Sequence, residues 1–150
     1  MLIVYDLDET LTDKNGGNSI SEAWYTRENY NEIKNMLHQQ KQKGHTLFVV
    51  SRGVRMDVIR FLNESKLFSF FEGIIGAKSI KENRDRSAVY WGKLKTRYLK
   101  ELTKVYGNNI VFVDDNLHNI LPARKAGFRC IHVNPPGSKS TVALMKKWQI

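Results

Sequence analysis

The chain opens on a four-residue apolar run, Leu2-Ile3-Val4-Tyr5, that ends abruptly in Asp6-Leu7-Asp8-Glu9-Thr10. A short apolar run bounded by polar residues reads as a buried strand with both carboxylates at its C-terminal end. The pattern recurs. Residues 46–50 are apolar and lead into Ser51-Arg52-Gly53, and residues 110–113 lead into Asp114-Asp115-Asn116. In an open parallel sheet that edge is where ligands bind, so three strands would deliver polar side chains to one place. Strand alternation turns Asp6 and Asp8 to one side if the extended backbone continues past Tyr5. Two acids that close repel unless a cation lies between them or one is protonated.

The intervals carry helical spacing. Residues 27–43 read as a helix through Tyr30, Ile33, Met36 and Leu37, and residues 54–66 through Val54, Val58, Ile59 and Leu62. Residues 94–105 follow through Leu94, Tyr98, Leu99 and Leu102, and further helices are expected over 117–126 and 139–148. Strands are expected over 70–75 and 130–133, a loop over 12–19 with Asn15-Gly16-Gly17-Asn18, and no clear period over 77–88. Strands alternating with helices predict an α/β fold of three layers, a parallel sheet with helices on both faces. A chain of 150 residues suits a single domain, here 1–150.

The chemistry of the edge residues is specific. Carboxylates from two strands can hold a hard divalent cation through oxygen, and Mg²⁺ needs few of them beside phosphate and water. A hydroxyl and a lysine beside that cation suit the remaining oxygens of a phosphoryl group.

In order along the chain, D-x-D-x-T at Asp6, Asp8 and Thr10, then Ser51, a lysine, and the pair Asp114-Asp115 behind Ile-Val-Phe-Val resemble the four motifs of the haloacid dehalogenase superfamily. The resemblance implies a Rossmann-like core and a Mg²⁺-dependent phosphatase. Asp6 would be the nucleophile that forms an aspartyl-phosphate, and Asp8 the general acid and then base. Asp6, the backbone carbonyl of Asp8, and Asp114 would hold Mg²⁺, with Asp115 helping or orienting. Ser51 would hydrogen-bond a phosphoryl oxygen, Arg52 would touch substrate or pair with a carboxylate, and Thr10 would support the loop at the substrate site. The motif lysine is Lys95 or Lys93. Lys95 stands four residues before Leu99 and seven before Leu102, a phase that favours it. Asn116 and Asn119 would cap the next helix or orient Asp115, and His118 would begin that helix.

Spacing bears on the substrate. Between Asp6 and Ser51 lie 44 residues, and between Ser51 and Lys95 lie 43. Neither interval holds a cap domain of ordinary size, so the site should be open, rimmed by 13–26 and 77–92. Trp24-Tyr25 would line the rim or form a hydrophobic staple.

Charge adds to this. The formal net charge of +9 divides as −2 over 1–45, +1 over 46–77, +6 over 78–104 and +4 over 105–150. Basic density of this kind attracts polyanions. Lys78, Lys81, Arg84 and Arg86, near Tyr90 and Trp91, combine cations with stacking surfaces. A phosphorylated nucleic-acid end fits both openness and charge; a nucleotide or a phosphoprotein fits the chemistry equally. A nucleic-acid-binding module on a degenerate phosphatase fold is a second class, although binding alone needs no general acid. A phosphorylatable receiver-like domain is a third, for which the D-x-D-x-T on the first strand and the acidic pair on a late strand are in the wrong order. No G-x-G-x-x-G follows the first strand, which argues against a dinucleotide enzyme.

The remaining features are bland. Cys130 is the single cysteine, so no intramolecular disulfide is possible, which leans toward an intracellular setting. No apolar run approaches the ~20 residues that span a membrane, and the N-terminal run reads as catalytic strand rather than signal peptide.

Overall fold

A computed structural model describes residues 1–15 and 20–150. Most of the expected Asn15–Asn18 loop lies outside the described residues.

Five strands form one parallel sheet in the order β3-β2-β1-β4-β5. They are β1 (Leu2–Tyr5), β2 (Thr46–Val54), β3 (Gly73–Ala77), β4 (Ile110–Asp114) and β5 (Arg129–His132). Among the described residues seven α-helices accompany them: α1 (Ile20–Ala23), α2 (Arg27–Gln42), α3 (Arg55–Glu64), α4 (Ile80–Asp85), α5 (Ala88–Tyr106), α6 (Leu117–Lys125) and α7 (Ser138–Lys147). β1 is central, pairing with β2 on one side and β4 on the other.

The three layers follow from alternation along each strand. Ile3, Tyr5, Leu47, Val49, Val111 and Val113 pack against Ile33 and Leu37 of α2, Phe61 and Leu62 of α3, and Val142 and Met145 of α7. Their neighbours Leu2, Val4, Phe48, Val50, Ile110 and Phe112 pack on the other face, against Leu99 and Leu102 of α5 and Ile120 and Ala123 of α6. Strands buried on both faces explain why the runs are continuously apolar.

Four differences from the sequence-based expectation bear on the site. β2 runs on to Val54, with an irregular register between Val50 and Val54. The third strand begins at Gly73 because Phe68–Phe70 coil into a 3-10 turn. Residues 77–88 contain α4, whose N-cap Ser79 accepts from the Glu82 N–H at 3.2 Å. The Ser79-x-x-Glu82 spacing is that of a capping box. α5 begins at Ala88 rather than 94, because Ser87 caps it by accepting from the Tyr90 N–H at 3.1 Å.

The earlier start places Gly92 inside α5, and packing explains it. A Cβ on Gly92 would lie 1.9 Å from the His118 carbonyl oxygen of α6. Only glycine lets the two helices approach this closely, and Lys95 lies one turn farther along α5. Among the described residues no helix is long and apolar enough to cross a membrane.

Alanine in place of a mid-helix glycine ordinarily stabilises by about 0.5–1 kcal/mol. Overpacking a tight contact costs about 1–3 kcal/mol, and a backbone clash lies at the upper end of that range. Gly92→Ala is therefore expected to destabilise the fold by roughly 2–2.5 kcal/mol, the difference of those two terms. Urea unfolding of the variant beside wild type measures it.

Candidate active site

After β3 the chain crosses back past β1 to build β4 and β5, so the strand order reverses between β1 and β4. A crevice opens outside the C-terminal ends of strands at such a reversal. Asp6 directly follows β1, and its N–H donates to the Val113 carbonyl at 2.9 Å. Asp114 closes β4. Tyr5 and Val113 face α2, so the next residue on each strand turns toward α5.

There the two acids meet Lys95. Its Nζ donates to Asp6 Oδ1 at 2.9 Å and to Asp114 Oδ2 at 3.0 Å, and the lysine is 1% exposed. Lys93 is exposed on the same helix. Two positions along an α-helix turn the side chain by about 200°, so only one of the pair can face the sheet. The geometry selects Lys95 and corrects the placement of Lys93 at the site.

Further bonds hold the acids. Asp114 Oδ1 accepts from the Asn116 N–H and Oδ2 from Asn119 Nδ2, both at 2.9 Å. Asn119 thus orients Asp114 rather than Asp115, while Asn116 Oδ1 caps α6 by accepting from the His118 N–H. Asp115 Oδ1 accepts from Thr10 Oγ1 at 3.1 Å, and its backbone carbonyl lies 3.0 Å from His132 Nε2. Thr10 is fully buried, and its own carbonyl accepts from Thr141 Oγ1 at 2.7 Å. It secures the loop and Asp115 and does not line the cleft.

Asp6, Asp114 and Asp115 each offer a carboxylate oxygen within 4.8 Å of the others. One lysine cannot balance three acids at that distance. Burial, opposed by Lys95, pushes Asp6 up to about 7. Burial and the neighbouring Asp6 push Asp114 up to about 6, and burial also raises Asp115. An all-oxygen cluster with surplus negative charge is the donor set a hard divalent cation takes, so the residues fit one. Asp8 is half-buried in the cleft wall. The extended backbone does not reach it: β1 stops at Tyr5, and the N–H groups of Thr10, Leu11 and Thr12 fold back onto the Leu7 carbonyl. The one-sided pairing of Asp6 and Asp8 expected from alternation is therefore replaced by a turn.

The cleft encloses about 600 Å³ between these acids, the end of β2, α3 and α4. Ser51 is set back. Because β2 continues to Val54, Ser51 lies within the strand, 1% exposed, and its Oγ accepts from the Gly53 N–H at 3.0 Å. Arg52 lines the cleft, but its guanidinium donates to the carbonyls of Asn83, at 3.2 and 3.0 Å, and of Arg86, at 2.7 Å. It anchors α4 to the sheet instead of pairing with a carboxylate. Asn15 at one rim and Ile80 and Asn83 of α4 at the other line the opening, as do Asp57, Val58 and Phe61 of α3. Trp24 is a core residue, stacked on Phe61 and donating to the Leu11 carbonyl at 2.9 Å. Trp91 is likewise buried, leaving Tyr90 as the exposed ring.

Sequence reasoning missed α4 and also Asp13. This buried carboxylate accepts from the Tyr25 N–H, Asn29 Nδ2, the Ser138 N–H and Ser138 Oγ. The Ser79-x-x-Glu82 pattern was a signal for α4. Asp13 had none, since one partner lies 125 residues away.

The sequence model of the haloacid dehalogenase-like hydrolases matches residues 18–133. The chain belongs to this family. No curated protein matches it. Among solved structures, an uncharacterized protein from Listeria monocytogenes aligns at TM-score 0.67 and 16% identity, over 100% of this chain and 99% of that one. A predicted phosphoglycolate phosphatase from Haemophilus somnus aligns at TM-score 0.66 and 18% identity, over 99% and 97%. Apo phosphoserine phosphatase aligns at TM-score 0.55 and 14% identity, over 93% and 90%. At these identities the likeness is one of fold. Family membership supports a phosphatase, and the acidic cluster agrees with the family's usual divalent metal.

Two outcomes follow from the charge balance. Acids whose pKa rises on folding bind more protons in the folded state, so metal-free stability should fall as pH rises from about 4 through about 7. Thermal melts with chelator should therefore run lower at about pH 8 than at about pH 5.5, less so in Asp6→Asn, and added divalent cation should recover stability at the higher pH. At about pH 8, Lys95→Met should cost about 3–5 kcal/mol by stranding buried acids, whereas Lys93→Ala should stay within about 0.5 kcal/mol. Denaturant unfolding of the pair measures both.

Proposed function

We propose that the protein is a Mg²⁺-dependent phosphomonoester hydrolase working through an aspartyl-phosphate on Asp6. The observation that carries this is Lys95 held between Asp6 and Asp114, with Asp115 completing a buried acidic cluster at the sheet's switch point.

Asp6, Asp114 and Asp115, with the Asp8 backbone carbonyl, would hold Mg²⁺, which when bound offsets charge on the phosphoryl oxygens and the attacking carboxylate. An Asp6 oxygen attacks phosphorus, the bond to the ester oxygen breaks, and Asp8 supplies the proton that oxygen needs. Asp8 then takes a proton from water as the water attacks the aspartyl-phosphate, regenerating Asp6 and releasing phosphate. Lys95 favours the ionised form of Asp6 against the effect of burial, aligns it, and opposes the charge that gathers on the phosphoryl group. Asn119 and Lys95 together fix the Asp114 carboxylate. Ser51 is 1% exposed and does not line the cleft, so it would reach a phosphoryl oxygen only through a shift at the end of β2; as placed, its Oγ holds the Gly53 N–H of the cleft wall.

The absence of a large cap among the described residues leaves the cleft open, which favours a bulky substrate. The +6 charge of residues 78–104 makes a phosphorylated nucleic-acid end the favoured one. Nucleotides and phosphoproteins are the alternatives.

Phosphate release from p-nitrophenyl phosphate with Mg²⁺ tests the chemistry, beside 3′- and 5′-phosphorylated oligonucleotides, mononucleotides and a phosphopeptide. Release is expected to need Mg²⁺ and to fall by at least roughly 10³-fold in Asp6→Asn, the order seen when a covalent nucleophile is removed. Asp8→Asn should bind substrate yet turn over by roughly 10²–10⁴-fold less. Full activity in folded Asp6→Asn protein refutes the assignment.

A further inference from the structure

The exposed face of α5 carries a pattern that the cleft chemistry does not use. Lys93, Arg97, Lys100 and Lys104 recur at intervals of four, three and four residues, and all four are exposed. At 100° per residue they fall within about 60° of one another, forming one stripe about 16 Å long. The stripe lies opposite the buried side of the helix, where Trp91, Leu94, Lys95, Leu99 and Leu102 face the protein. Within α5 the one acid is Glu101, paired with Lys104 at 3.0 Å. On α6, which packs against α5, Arg124 and Lys125 are also exposed.

The stripe has a direction. α5 leads into β4 and runs antiparallel to it, so its first turns stand at the sheet edge that holds the cleft. Lys95 enters the acidic cluster from those turns, and Lys93 begins the stripe two residues earlier. A polyanion lying along α5 would therefore reach the cleft with one end.

Two exposed rings stand beside cations, Tyr90 in the first turn of α5 and Tyr25 just before α2, although neither lines the cleft itself. Tyr25, 70% exposed, has Lys14 Nζ 5.5 Å from its ring centroid. Tyr90, 37% exposed, has the Arg86 guanidinium 4.9 Å from its centroid. Aromatic rings beside cations are what single-stranded nucleic acid uses, because its bases present free faces for stacking. A duplex hides those faces, and an acidic peptide has none.

We propose that the outer face of α5 is a docking track for single-stranded nucleic acid, its phosphodiesters on Lys93, Arg97, Lys100 and Lys104 and its end at the cleft. The orientation of the strand rests on the phosphomonoesterase reading; the track itself does not. A strand without a terminal phosphate therefore binds the stripe as well, and p-nitrophenyl phosphate turnover reports separately on the cleft.

The test is fluorescence anisotropy of a labelled decanucleotide, with and without a terminal phosphate, on wild-type protein in chelator from about 50 to 200 mM salt. Four contacts on a single strand predict a log–log salt slope of about −3. The triple variant Arg97→Ala, Lys100→Ala, Lys104→Ala should flatten the slope to about −0.7, since one contact remains. A triple variant on the opposite side of the sheet, Lys34→Ala, Lys41→Ala, Lys43→Ala, removes equal charge and should keep the wild-type slope. Circular dichroism checks that both fold, and the α5 variant should keep wild-type turnover of p-nitrophenyl phosphate. The proposal is overturned if the wild type does not bind the strand, or if both triples weaken binding equally. It also fails if a duplex or a polyglutamate of equal charge competes as well as the single strand.

Discussion

The structure is organised around one buried ammonium shared by two carboxylates. Lys95 reaches Asp6 and Asp114 from a helix on one face of the sheet, and without it two buried acids on adjacent strands would repel. One positive charge does not settle three acids, and the remainder shows as the raised pKa values of Asp6, Asp114 and Asp115. The same imbalance that weakens the metal-free fold at high pH prepares the cluster for a divalent cation. Stability and chemistry thus pull in opposite directions at these residues, as is common where pKa values are strongly perturbed.

Much of the surrounding architecture serves to hold that arrangement. Gly92 lets α5 lie against the backbone of α6, which sets the height of Lys95 and the position of Asn119. Thr10 joins the loop after β1 to Asp115, and Thr141 of α7 joins the same loop to the C-terminal helix. Asp13 gathers the segment before α2 and the start of α7 onto a single carboxylate. Arg52 does the equivalent for α4 by capping the carbonyls of Asn83 and Arg86. The cleft walls are therefore fixed by hydrogen bonds between distant segments, while the sheet beneath is held by apolar packing on both faces.

Charge divides the molecule. The buried acids at the sheet edge form a cluster that fits a divalent cation, whereas residues 78–104 on the α4–α5 side carry a net charge of +6. These two regions meet at the start of α5, where inward Lys95 and outward Lys93 are two residues apart. A single helix contributes to both regions because successive residues on it point in different directions.

How much of this was legible beforehand depended on the range of the interaction. The apolar runs, the polar residues ending them and the alternation with helices were local patterns, and they specified an α/β sheet with Asp6, Ser51 and Asp114 near one edge. Ser79 and Ser87 were also local signals, though the polar stretch around them obscured the caps. The choice between Lys95 and Lys93 was not local: it needed the rotation of α5 about its axis, which the contact of Gly92 with α6 determines. Nor could the sequence reveal that β2 continues to Val54 and buries Ser51, or that Arg52 binds backbone carbonyls. By itself the sequence determined the fold class, the family and the acids, because periodicity and motif order are properties of neighbours along the chain. Only the tertiary structure decided which lysine joins the acids and what Asp13, Asn119 and Arg52 hold, because their partners lie on other elements and are brought near only by packing.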